Sequence, residues 1–101
     1  MADIPDVLDV AKSGYKLLLE NKKVRVLEIR LKPGEISPMH NHPNDHVIYV
    51  VKSATFQLTF PDGPADKFDL ETGKVLWINA GPHQTENIGS TDGQCIVVET
   101  K

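Results

Sequence analysis

Between Ala54 and Phe60 the chain reads ATFQLTF, with Ala54, Phe56, Leu58 and Phe60 apolar and Thr55, Gln57 and Thr59 polar between them. A period of two puts the two sets on opposite sides of an extended strand, so this segment belongs in a sheet with one face buried. The segment KVRVLEIRLK repeats the pattern. Arg25, Leu27, Ile29 and Leu31 share one face, Val24, Val26, Glu28 and Arg30 the other, and the run stops at the turn Lys32, Pro33, Gly34. Further β-rich runs follow at HVIYVV, DKFDL, KVLWIN and QCIVVET, separated by PDGP, ETG, NAGP and GSTDG. Seven or eight short antiparallel strands at close spacing predict an all-β fold: a sandwich, β-barrel or jelly roll. A short helical turn is expected near Pro5 to Lys12. With 101 residues there is material for one core, so a single domain over residues 1–101 is expected, with residues 1–14 as an N-terminal extension and residues 15–101 as the barrel.

Several function classes are disfavoured by composition. The net charge is -3 and the basic residues are scattered, which gives nucleic acid no electrostatic footprint. No apolar run reaches the roughly 20 residues that span a bilayer, so no membrane partner is expected. The N-terminus MADIPDVLDV is acidic, unlike a secretory signal, and a cytoplasmic location is expected. The single cysteine, Cys95, precedes Ile96, Val97 and Val98 and reads as a buried strand thiol. No Ser-His-Asp arrangement, phosphate-cradling glycine loop or paired carboxylates stand at useful spacing.

The histidines carry the chemistry. His40, His42 and His46 fall within GEISPMHNHPNDHVIYV, and His83 follows a glycine and a proline after a later run. Residues two apart on a strand point the same way, so His40 and His42 project together, and His46 shares its parity with Ile48 and Val50. Pro43, Asn44 and Asp45 supply the turn that folds the second run beside the first. A lone histidine is most simply a surface or core residue. Three at strand parity, with a fourth in a turn, point instead to a metal site.

These segments resemble the two motifs of the cupin superfamily. The first, glycine, five residues, His-x-His, then a glutamate before an apolar strand, is matched by Gly34, His40, His42 and, in the glutamate's place, His46. The second is matched by Gly73, Asn79, Gly81, His83 and Asn87. Asn79 stands where the motif has proline, the gap from Gly81 to His83 is one residue short, and Ser53 replaces the glycine that often closes the first motif. The resemblance implies a cupin-type antiparallel β-barrel with His40, His42, His46 and His83 converging on one divalent transition metal.

Imidazole ligands suit iron, zinc, nickel and copper. Four neutral imidazoles offset none of the metal's charge, which favours an anionic small-molecule ligand such as an enolate, thiolate or carboxylate. By resemblance, the expected function is an Fe(II)-dependent dioxygenase acting on a small chelating substrate, for example a diketone enolate or thiol. The alternatives are a non-catalytic metal- or ligand-binding module and a cupin isomerase. Ile48, Val50, Phe56, Leu58 and Phe60, with Trp77, are the candidate pocket walls. Glu28 and Arg30 are candidates for polar groups reaching the cavity, and Asp45 for a turn role. A homodimer is expected by resemblance, with the apolar segment Tyr15 to Glu20 as a shared edge strand.

Overall fold

A computed structural model describes Asp6, Leu8 and residues 14–101. Among these residues nine strands form: β1 (Tyr15–Glu20), β2 (Val24–Leu31), β3 (Ile36–His42), β4 (His46–Lys52), β5 (Ala54–Thr59), β6 (Ala65–Leu70), β7 (Val75–Ile78), β8 (Gly81–Asn87) and β9 (Gly93–Thr100). They pair antiparallel into a five-stranded sheet, ordered β1-β2-β9-β4-β7, and a four-stranded sheet, ordered β3-β8-β5-β6. The two sheets face each other as a jelly roll, one of the all-β architectures expected from the alternation and the kind that the resemblance implies. The helical turn expected over residues 5–12 lies outside the described residues except at Asp6 and Leu8, and Leu8 packs against the core.

The alternating runs bury the faces their patterns assign. Leu27, Ile29 and Leu31 of β2 meet Ala54 and Phe56 of β5 in the core cluster, joined by Val50, Cys95 and Val97. Cys95 is a free, buried thiol whose pKa burial pushes up to about 11. The two strands that hydrophobic alternation misses are β3 and β8. Their inward positions are polar, and β8 begins inside what reads as the NAGP turn.

Gly93 shows how tightly the sheets meet. A Cβ there would stand 2.7 Å from the Ala54 Cβ and from ring atoms of Phe56. Gly93→Ala is therefore expected to destabilise the fold by about 1–3 kcal/mol through overpacking, read as a lowered urea midpoint with an unchanged m-value.

Candidate metal centre

β3 supplies two of the histidines, and an irregularity sets their position. Ser37 and His40 are both buried although they stand three positions apart, an odd spacing that would put them on opposite faces of a regular strand, because the β3–β8 register shifts between them. Pro38, which has no N–H to give the ladder, lies at this bulge. Beyond it His40 pairs with His83 of β8, and His42 pairs with Gly81, a glycine with φ of 143°. That backbone conformation is rarely open to residues with a side chain.

The rings of His40, His42 and His83 form a nearly equilateral triangle, with centroids 4.9 Å, 4.8 Å and 4.9 Å apart. One ring nitrogen from each lies within 4.8 Å of the others, so the three make a group that can hold a metal ion. All three are buried.

His46 of β4 is buried beside them, its ring stacked on His42 at 4.5 Å and 30°. It falls outside the group of three. Its Nδ1 donates to the Asn44 carbonyl at 3.1 Å.

The hydrogen-bond pattern fits a metal. A carbonyl oxygen only accepts, so the 2.6 Å contact from His40 Nδ1 to the Pro38 carbonyl places the ring hydrogen on Nδ1. The lone pair is then on Nε2, which is buried without a hydrogen-bond partner among the described residues. His42 is oriented the same way, its Nδ1 donating to Glu99 Oε2 at 2.7 Å. A carboxylate or carbonyl behind each ring is how ligating histidines are usually held.

Burial favours neutral rings, the form that binds metal. It takes the pKa of His40 down to about 4, reinforced by His42 and opposed by the Pro38 carbonyl. It takes His83 down to about 2, with His42, His40 and His46 adding to the effect. His46 is lowered by burial and then by His42.

Two residues behind the site escaped the sequence reading. Glu99 of β9 is fully buried, and its Oε1 accepts from Arg25 Nε at 2.6 Å. Arg25 in turn grips Asp6 through both terminal nitrogens, at 3.1 Å and 3.0 Å. Burial alone would raise the Glu99 pKa, but hydrogen bonds from His42 and Arg25 hold it below the usual carboxylate range. The only sequence signal was Arg25 itself, a charge on an inward parity that demanded a buried partner.

Tyr15 completes the wall, its ring 5.3 Å from that of His40. Burial raises its phenol pKa, so it stays neutral.

The other candidates divide. Ile48, Phe56 and Leu58 line an inner void of about 30 Å³ together with His42, His46 and His83. Val50 is fully buried in the core and lines neither that void nor the cleft outside it. Trp77 and Phe60 flank the cleft, a cavity of about 720 Å³ between the β5–β6 and β7–β8 turns that reaches His83. Glu28 and Arg30 do not reach the cavity: they pair with each other at 2.9 Å on the outer face. Asp45 has its turn role, accepting from the Ala80 N–H at 2.7 Å.

A family model described as a cupin domain matches residues 27–99. A stretch of 69 residues, 68% of this chain, is 29% identical to a 3-hydroxyanthranilate 3,4-dioxygenase of Cupriavidus pinatubonensis; it spans 36% of that enzyme's length. Among solved structures, a cupin domain from Bordetella pertussis Tohama I superposes with a TM-score of 0.79 over 100% of this chain and 99% of that one, at 22% identity. The polyketide cyclase RemF from Streptomyces resistomycificus superposes with a TM-score of 0.62, covering 85% of this chain and 63% of that one, also at 22% identity. At these identities the structures speak for the fold alone.

Proposed function

The chain belongs to the cupin domain family, and from that premise we propose that it is a metal-dependent dioxygenase acting on a small, chelating, anionic substrate. In this reading His40, His42 and His83 hold one divalent transition metal, with His46 as a fourth ligand and iron as the native metal. The observation that carries it is the unpartnered Nε2 of His40, buried with its hydrogen committed to Pro38 on the other side of the ring. Such an atom is costly to bury unless something binds it. Ferrous iron held there would supply Lewis acidity toward an anionic oxygen or sulfur and reducing power toward dioxygen.

The chain's own residues do the rest. The cleft of about 720 Å³ gives a substrate its approach to His83, with Phe60, Phe68 and Trp77 as apolar walls and Asp62 and Asn79 as polar groups. The Trp77 indole is steadied by its Nε1–H, which donates to Asn79 at 3.1 Å. Glu99 adds a carboxylate that the sequence reading lacked, but Arg25 shares it. The metal's charge is thus still left largely to the substrate. The similar dioxygenase suggests aromatic o-aminophenols beside diketones and thiols as substrates to try.

Anaerobic reconstitution with ferrous iron, followed by oxygen uptake over such a panel including 3-hydroxyanthranilate, tests the reaction. Turnover that depends on iron is expected, and a His42→Ala protein is expected to fall well below one metal per chain. Full metal stoichiometry in that variant would refute the ligand assignment. Absence of turnover with any metal, together with tightly held zinc, would favour a non-catalytic metal module. The small inner void supports that second reading, since about 30 Å³ accommodates little more than an ion and a water.

A further inference from the structure

Asp6 brings the N-terminal segment against the metal centre. Its backbone forms a parallel bridge with Asn41, the residue between His40 and His42. β3 lies at the edge of the four-stranded sheet, so this contact uses the side of the strand that β8 leaves open. The Asp6 carboxylate reaches the other sheet, accepting from Arg25 of β2 at 3.1 Å and 3.0 Å, and it also accepts from the Leu8 N–H at 3.0 Å. One residue thus ties the two sheets together beside the site, and Leu8 packs against the core next to it.

A chain of hydrogen bonds runs inward from Asp6. Arg25 gives both terminal nitrogens to Asp6 and its Nε to Glu99 at 2.6 Å, and Glu99 accepts from His42 Nδ1 at 2.7 Å. Side-chain exposure falls along the chain, from 29% at Asp6 through 12% at Arg25 to 0% at Glu99. Charge-assisted bonds in series polarise one another, and more strongly where water is excluded.

We propose that Asp6 is a positioning residue for the metal, acting on His42 through Arg25 and Glu99 and coupling the docking of the N-terminal segment to metal binding. This rests on the assignment of His42 as a ligand. With Asp6 in place the guanidinium divides its charge between two carboxylates and its planar fork is fixed. Glu99 then keeps more of its charge for the His42 N–H, which makes the opposite ring nitrogen a better donor. Without Asp6 the guanidinium turns its whole charge on Glu99, and His42 becomes the poorer ligand. The coupling is reciprocal: whatever docking of Asp6 adds to metal affinity, bound metal returns to docking.

Asp6→Asn keeps the shape of the side chain and removes its charge. Zinc affinity, read by competition with a chromophoric chelator, is expected to fall about three- to tenfold, less than for a group directly behind a ligand. Asp6→Glu should recover part of the loss. In the iron-loaded protein the Fe(III)/Fe(II) potential of Asp6→Asn should rise, because a poorer donor stabilises the ferric ion less. In the parent, zinc should slow hydrogen exchange at the Leu8 N–H. Asp66→Asn, at an exposed position of β6, is the control and should change none of these. Near-ultraviolet circular dichroism verifies the fold of each variant. A folded Asp6→Asn protein with the parent's affinity and potential would overturn the proposal, and leave the ligand set standing if His42→Ala still loses the metal. Weaker binding with an unmoved potential would overturn it too, since it reduces Asp6 to a structural tie. The Leu8 measurement needs no variant: exchange that is equal with and without bound zinc would refute the coupling even if Asp6→Asn does not fold. Full metal stoichiometry in His42→Ala would overturn this proposal and the ligand assignment together.

Discussion

Replacing Glu99 by alanine is expected to destabilise the metal-free domain by about 3–5 kcal/mol, the usual effect of removing one partner from a buried ion pair. The carboxylate has no exposure and serves two donors, His42 Nδ1 at 2.7 Å and Arg25 Nε at 2.6 Å. Its loss strands a guanidinium with Asp6 as its remaining partner and leaves the His42 ring free to turn. Because His42 belongs to the ligand group, metal affinity should fall as well, by roughly 10- to 100-fold, as when other groups behind a ligating histidine are removed. Glu99→Gln separates the two effects. Its amide oxygen can still accept from His42, but its NH2 then faces Arg25, so stability should fall while the ligand orientation is largely kept. Urea titration of chelated protein gives the first quantity. Competition with a chromophoric chelator gives the second, and the visible spectrum of the cobalt-substituted protein reports ligand geometry. An alanine variant within about 0.5 kcal/mol of the parent, with unchanged affinity, would make Glu99 a bystander.

The same residue shows what sequence could and could not reveal. Strands such as β5 and β2 were legible because their inward positions are apolar, and alternation of hydrophobicity is then alternation of burial. In β8 the inward positions are His83, Thr85 and Asn87, all buried and all polar, so the period is present in burial but absent from hydrophobicity. Strand β3 fails in the same way, and its bulge near Pro38 breaks the period once more. The segments hardest to read as strands are thus those that carry the site. The histidines could be grouped because three of them are close in sequence. Glu99 lies 57 residues from His42, and only the β2–β9–β4 pairing, which sets Arg25 and His46 both opposite Glu99, brings it beneath the site.

The metal-free protein is expected to lose about 4 kcal/mol of stability between pH 7.5 and pH 5, with the decline beginning near pH 6.5. In the folded chain His40 is lowered to about 4 and His83 to about 2, chiefly because burial disfavours the imidazolium. In the unfolded chain both return to an ordinary value near 6.5. Above that pH neither state binds these protons and stability is level. Below it the unfolded chain takes up protons that the native fold refuses, so each histidine draws off about 2 kcal/mol by pH 5. His46, lowered in the same direction, adds to the decline. Glu99 contributes with a later onset, because its depressed carboxyl favours the fold until the pH falls into the carboxylate range. The onset therefore identifies the cause: loss starting at 6.5 belongs to the histidines, and loss starting near 4.5 to carboxylates. Urea titrations of chelator-treated protein across this range supply the measurement, and His83→Gln should remove roughly half of the histidine share. A stability that stays level down to pH 5 would show that the buried rings are free to take up protons, and that the interior holding them neutral for a metal is not as dry as its burial indicates.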